Sequence, residues 1–150
     1  MPFEEKMTWV SLVVAIAVPI WYVATMLGKL QTTAAADINF QTPLIIAIVA
    51  SVVLMVVGAI VMSVATSVTA VARGRKPEDD IDRKDERDKT IGRHGDLIGF
   101  YVSSVGMVGV LALTMLKYEY FWIASALYLS FVVGTVVGSV VKIASYHRGF

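Results

Sequence analysis

The stretch PLIIAIVASVVLMVVGAIVMSVATSVTAVA, residues 43–72, decides the fold of this 150-residue chain. It contains 30 residues in a row without a charged side chain. A helix rises about 1.5 Å per residue and the hydrocarbon core of a bilayer is about 30 Å thick, so the stretch is longer than one straight crossing requires. Inside hydrocarbon, a helix satisfies its own backbone hydrogen bonds. The stretch therefore predicts a transmembrane helix that tilts or protrudes.

Three further charge-free runs flank this stretch, at residues 8–27, 97–116 and 121–141, and the last continues as an apolar pattern to residue 146. The chain is 57% hydrophobic and only 17% charged, which is less charge than soluble domains carry. In a soluble protein these four runs would need other residues to cover them, and the chain has too few. We therefore expect one all-α domain, a polytopic membrane protein whose four transmembrane helices form an up-down bundle and cover about residues 8–27, 43–72, 97–116 and 121–146.

The basic residues predict the orientation of the helices. Loops on the cytoplasmic side of a membrane carry an excess of lysine and arginine. Segment 73–96 contains eight basic residues, whereas the loop after the first helix has only Lys29 and the loop after the third only Lys117. The eight are Arg73, Arg75, Lys76, Arg83, Lys84, Arg87, Lys89 and Arg93. This asymmetry predicts a multi-pass protein of the cell (inner or plasma) membrane with segment 73–96 and both termini in the cytoplasm.

The first apolar run also resembles a signal peptide, because the small residues TTAAAD at 32–37 follow it. A signal peptide begins with a positively charged region and has a shorter apolar core. Here Glu4 and Glu5 precede the run beside Lys6, and the run is longer than a typical signal core. We interpret it as a retained transmembrane helix.

The charged segment 73–96 has two interpretations. It contains eight acidic residues in addition to the eight basic ones. Oppositely charged residues four apart predict a solvated helix that leads into the third span. Gly92 and Gly95 weaken that helix and suggest a hinge before the membrane. A mixed-sign surface suits protein docking better than lipid binding, which favours one sign. The alternative is a connector that only sets topology. The expected docking residues are Asp85, Glu86, Arg87 and Asp88, with Ile91 as a small apolar anchor.

Small residues follow helical spacing in the last two spans. The third span has Gly99, Ser103 and Gly106, and the fourth has Ser130, Gly134 and Gly138. Small side chains let membrane helices approach closely. We interpret both ridges as packing surfaces within one bundle, and a homodimer interface is the alternative.

No pattern in the sequence points to catalysis. The chain has no cysteine, and no span carries an ionisable residue at mid-membrane depth. Asp96 and Lys142 lie near the cytoplasmic ends of their spans and form a candidate interfacial pair, with an unpaired snorkelling lysine as the alternative. Asp85, Glu86 and Asp88 are conceivable Mg²⁺ ligands, but neighbouring basic residues neutralise them. We therefore expect no enzyme, no metal and no cofactor, and the net charge of +1 favours no direct contact with nucleic acid.

Four short stretches carry a resemblance to a known group of proteins. They are FEEKMTW (residues 3–9), DERDKTIGRHGD (85–96), FWIASALYLSF (121–131) and SVVKIASYHRGF (139–150). Together they resemble an uncharacterised family of small four-helix membrane proteins from actinobacteria and related prokaryotes. The resemblance implies a bacterial membrane protein whose partner is a cytoplasmic helix-turn-helix regulator.

Two functional hypotheses follow from the sequence. The first is a non-enzymatic integral membrane protein that docks a cytoplasmic partner through segment 73–96. The alternative is a small passive channel or carrier for a weakly polar solute, along a path lined by glycine and serine. In both hypotheses the chain binds the lipid bilayer.

Overall fold

The computed structural model describes residues 3–72 and 86–148, and four long helices make up nearly all of them. Helices α1 (Phe3–Leu30), α2 (Gln41–Ala72), α3 (Glu86–Met115) and α4 (Tyr120–Arg148) follow one another, with a short 3-10 turn (Ala35–Asp37) between α1 and α2. Each helix is long and apolar enough to cross a membrane, and the described residues contain no strand. The chain is therefore an all-α, four-helix, multi-pass membrane protein, as the sequence predicts.

Two helices begin well before their charge-free runs. Helix α1 begins at Phe3 and has Glu4 and Glu5 in its first turn. Helix α3 begins at Glu86 and has Glu86 and Asp88 in its first turn. Acidic side chains stabilise the positive N-terminal end of a helix, so these ends stay helical beyond the apolar span.

The helices run without interruption through residues of low helix propensity. Helix α3 continues through Gly92 and Gly95, so the structure contains no break where the sequence suggested a hinge. Helix α1 likewise continues through Pro19, which is buried. At Gly95, packing against Gly138 and Lys142 outweighs the low helix propensity of glycine, which costs about 1 kcal/mol relative to alanine.

The turn between α3 and α4 is set by one residue in the left-handed region. Lys117 has φ 57°. Its backbone N–H donates to the carbonyl of Thr114 at 3.1 Å, and the N–H of Tyr118 donates to the carbonyl of Leu113 at 3.1 Å. This pair of hydrogen bonds is the Schellman ending of a helix, and it reverses the chain within a few residues.

The helices pack in the spatial order α2, α1, α4, α3. Among the described residues, α3 packs most closely on α4, while α1 packs on both α4 and α2. We call the end of the bundle that holds the α1–α2 and α3–α4 connections the loop end. The opposite end, with the start of α1, the start of α3 and the end of α4, is the charged end.

The main hydrophobic core lies at the loop end. Tyr22 is 1% exposed, and its hydroxyl is hydrogen-bonded to Ser125 Oγ at 2.8 Å. The Tyr22 ring meets the Tyr128 ring edge-on, with centroids 5.2 Å apart. These contacts connect α1 to α4. The buried residues of this core are Val18, Tyr22, Met26, Ile38, Ala47 and Phe121.

Candidate functional site

The contact between α3 and α4 brings backbone against backbone. A Cβ atom added to Gly99 would lie 2.7 Å from the carbonyl oxygen of Gly134. A Cβ atom added to Gly134 would lie 2.6 Å from the carbonyl oxygen of Gly99 and would also clash with the Ser103 hydroxyl. Backbone atoms cannot move aside like a flexible side chain, so only glycine fits at these positions.

The other predicted packing residues lie in the same interface. A Cβ atom on Gly106 would clash with the side chain of Ser130, and one on Gly138 would lie 2.9 Å from the carbonyl oxygen of Gly95. The structure thus brings the two small-residue ridges together within one chain. This is the packing within one bundle that the spacing predicts, and a homodimer stays a prediction.

Asp96 and Lys142 lie at the point where this interface reaches the charged end. Lys142 Nζ is 2.7 Å from Asp96 Oδ1. The stem of Lys142 crosses Gly95, where an added Cβ atom would clash with Lys142 Cγ. Gly95 therefore leaves the space through which the lysine reaches the carboxylate. The structure brings the candidate interfacial pair together at the membrane boundary.

Helix α3 projects beyond this pair as a continuous helix. Residues 86–96 precede the charge-free span, and at about 1.5 Å per residue they extend roughly 16 Å from it. Ile91 is 3% exposed, and on α1 the side chain of Glu5 is 8% exposed. These buried residues hold the projection against its neighbours and make the charged end a packed surface.

An acidic network joins three helices beneath that surface. The side chain of Tyr146 on α4 is hydrogen-bonded to Asp88 on α3 and lies near Glu4 and Glu5 on α1. His147 Nε2 lies 3.9 Å from Glu5 Oε1. The start of α1, the start of α3 and the end of α4 therefore bring polar side chains together at the charged end.

A small cleft opens between α3 and α4 at the charged end. It has a volume of about 280 Å³ and is lined by Arg87, Thr90, Ile91, His94 and Ser145. The Thr90 hydroxyl donates to the carbonyl of Glu86 at 2.9 Å, and the Ser145 hydroxyl donates to the carbonyl of Val141 at 2.9 Å. Both hydroxyl protons are thus engaged by backbone carbonyls. The guanidinium of Arg87 is the permanent charge on the lining.

The predicted docking residues divide into three groups. Arg87 is exposed on the cleft, and Glu86 is exposed but paired with Lys89, with 3.0 Å between Lys89 Nζ and Glu86 Oε1. Asp88 interacts with Tyr146, and Ile91 is buried at the cleft, so Ile91 is a packing residue rather than an exposed anchor. Asp85 lies outside the described residues, as do the expected ion pairs earlier in segment 73–96.

The described residues contain no arrangement for metal chemistry. Within residues 3–72 and 86–148, no group of three or more histidine, aspartate or glutamate side chains has the geometry to hold a metal ion. The charged end presents charged and polar side chains, among them Arg87, Lys89 and Asp96.

Sequence reasoning missed three structural residues. Gly95 extends the ridge of α3 by one turn, and its spacing of four from Gly99 is the signal that identifies it. Glu5 is buried although an N-terminal glutamate is usually exposed, and no sequence pattern reveals this. Gly58 on α2 faces Val10 on α1, where an added Cβ atom would clash with Val10 Cγ1.

Comparison of the chain with models of known protein families, with curated proteins and with solved structures yields no match. The resemblance to an uncharacterised family of four-helix membrane proteins therefore stays a prediction.

Proposed function

We propose that the chain is a non-enzymatic integral membrane protein that docks a soluble protein at its charged end. In this proposal the charged end faces the cytoplasm of a bacterial cell and the protein resides in the cell membrane. The observation that carries the proposal is the projection of α3, a packed helix that presents Arg87 roughly 15 Å beyond the start of the apolar span at Leu97.

The charges at the cleft favour an anionic group on the partner. Glu86 is neutralised by Lys89, and Asp88 interacts with Tyr146, so neither described acid next to Arg87 is paired with the guanidinium. Arginine binds a carboxylate through two parallel hydrogen bonds, with a fixed geometry that lysine cannot reproduce. A partner with an exposed aspartate or glutamate therefore complements the surface.

The distance of Arg87 from the apolar span favours a protein over a lipid head group as its binding partner. The head-group layer adds only about 5–8 Å to each side of the hydrocarbon core. Arg87 lies roughly 15 Å beyond Leu97 along the helix, so its guanidinium is outside the layer of lipid phosphates. The resemblance described above points to a cytoplasmic helix-turn-helix regulator as the partner, with contact to the regulator and none to nucleic acid.

The channel or carrier hypothesis has less support. Its glycine- and serine-lined path coincides with the α3–α4 interface, where Gly99 and Gly134 leave no space even for a methyl group.

The test is quantitative co-purification from the native host of full-length wild type beside Arg87→Lys. Breaking a desolvated charge pair costs roughly 2–5 kcal/mol of binding, so we expect Arg87→Lys to reduce capture of the partner about tenfold or more. Membrane insertion and thermal stability should stay close to wild type, because Arg87 is exposed.

Arg93→Lys is the matched control, because Arg93 is an exposed arginine of the same helix that does not line the cleft. It should capture the partner as well as wild type does. If wild type captures no specific soluble protein, or if both variants capture it equally well, the docking proposal fails. The charged segment is then a connector that sets topology.

A further inference from the structure

A carboxylate is buried where the start of α1 meets the end of α4. The side chain of Glu5 is only 8% exposed, and its Oε1 lies 3.9 Å from Nε2 of His147. The imidazole of His147 is 63% exposed, so it can take up a proton from solvent. Among the described residues, His147 has the one basic side chain within ion-pair distance of Glu5. The charge of this carboxylate is therefore balanced by a group whose own charge depends on pH.

The other ionisable groups around Glu5 are acidic. On α4, the Tyr146 hydroxyl is hydrogen-bonded to Asp88 of α3, and Tyr146 lies near Glu4 and Glu5 of α1. The described part of α2 has no ionisable side chain. Burial of a carboxylate costs free energy unless a positive charge or hydrogen bonds compensate it, and further carboxylates nearby add to that cost. Protonation of His147 therefore lowers the cost of keeping Glu5 ionised in the folded protein.

The positions of both groups on their helices favour the charged pair. Glu5 lies in the first turn of α1, and His147 lies in the last turn of α4. The dipole of a helix stabilises a negative charge at its N-terminal end and a positive charge at its C-terminal end. The carboxylate and the imidazolium are thus each stabilised by their own helix as well as by each other.

We propose that the contact between Glu5 and His147 is a pH-dependent latch that holds the start of α1 to the end of α4. A histidine side chain changes its charge between about pH 5 and 8. The stabilisation is complete where His147 is protonated in the folded and the unfolded protein alike, and it is lost as the pH rises and the folded protein releases that proton. The charged end is therefore held together more tightly in acid. The latch is independent of the docking proposal, because it requires no partner.

The test compares the stability of the full-length protein in mixed micelles at about pH 5.5 and about pH 8, on either side of the histidine titration. SDS titration gives the ratio of folded to unfolded protein. At one fixed SDS fraction we expect this ratio for wild type to be about fivefold higher at the lower pH, as for a partly buried histidine charge at a helix C-terminus. Glu5→Gln removes the carboxylate at nearly the same size, and His147→Gln removes the titrating group. Each should reduce the difference to less than about twofold, because the charged pair cannot form.

His94→Gln is the matched control, because the chain has only two histidines and His94 lines the cleft on α3. It should keep the pH difference of wild type. Glu5→Gln should also be at least as stable as wild type at the higher pH, where it removes a buried charge without a partner. The proposal is overturned if wild type shows no gain in acid, if either latch variant keeps that gain, or if Glu5→Gln lowers stability equally at both pH values.

Discussion

The α3–α4 pair and the α1–α2 pair are both antiparallel helix hairpins, yet they are built differently. Between α3 and α4, glycine backbones meet directly at Gly99 and Gly134. Between α1 and α2, the closest glycine, Gly58, meets the side chain of Val10 instead. Most large apolar side chains of α2 are exposed to lipid, and α2 packs mainly on α1.

The difference shows how membrane helices associate without a hydrophobic driving force. Lipid chains are as apolar as leucine, so helices associate through close packing and not through removal from water. Weak contacts between Cα–H groups and carbonyl oxygens also favour backbones that approach closely. We infer that α3 and α4 form the rigid unit that carries the proposed docking surface, and that α2 is the most loosely held helix.

The largest effect is expected from Gly134→Leu. The new side chain meets the carbonyl oxygen of Gly99, so the two helices must separate. Overpacking usually costs about 1–3 kcal/mol, and we expect about 3 kcal/mol or more here because backbone atoms cannot rotate away. The measurement is the free energy of unfolding by SDS titration in mixed micelles.

Gly109→Leu is the control for this substitution. Gly109 is also on α3, and an added Cβ atom would meet nothing within 4 Å. We expect Gly109→Leu to match or exceed the stability of wild type, because leucine has the higher helix propensity. Equal losses for the two variants would mean that the interface is no more sensitive than the lipid-facing surface.

A smaller effect is expected from Gly58→Leu in the α1–α2 pair. The obstacle there is a valine side chain, which can rotate, and α2 can shift into lipid. We expect a loss of about 1 kcal/mol in the same titration. If Gly58→Leu destabilises the protein as much as Gly134→Leu does, the two hairpins are equally tight, and the inferred difference between them is wrong.

The sequence predicts the elements of the fold well because its signals are local. Charge-free runs identify the four helices, and the spacing of Gly99, Ser103 and Gly106 identifies one packing ridge. The spacing also matches Ser130, Gly134 and Gly138 on the facing helix. These predictions rest on length and periodicity, which a single sequence displays directly.

Spatial arrangement is harder to predict, because hydropathy does not reveal which helices are neighbours. The order α2, α1, α4, α3 and the contact of the start of α1 with the end of α4 both depend on that arrangement. Local propensity was also misleading at Gly95, where a suspected hinge is a packing contact with Gly138 and Lys142. Ile91 appeared suitable as an exposed anchor, but contacts from other helices bury it.

The docking proposal depends on which end of the bundle faces the cytoplasm. The chain has no native cysteine, so single cysteines report position without background. Thr33 lies in the loop end and Thr90 in the charged end, and both are exposed. The most direct measurement is therefore labelling of Thr33→Cys and Thr90→Cys in intact cells with a thiol reagent that does not cross membranes.

The account predicts that Thr33→Cys is labelled in intact cells and that Thr90→Cys is labelled only after the membrane is permeabilised. The asymmetry of eight basic residues in segment 73–96 against one in each opposite loop is the physical reason. Labelling of Thr90→Cys but not Thr33→Cys in intact cells would put the charged end outside the cell. That result would contradict the proposed docking of a cytoplasmic partner.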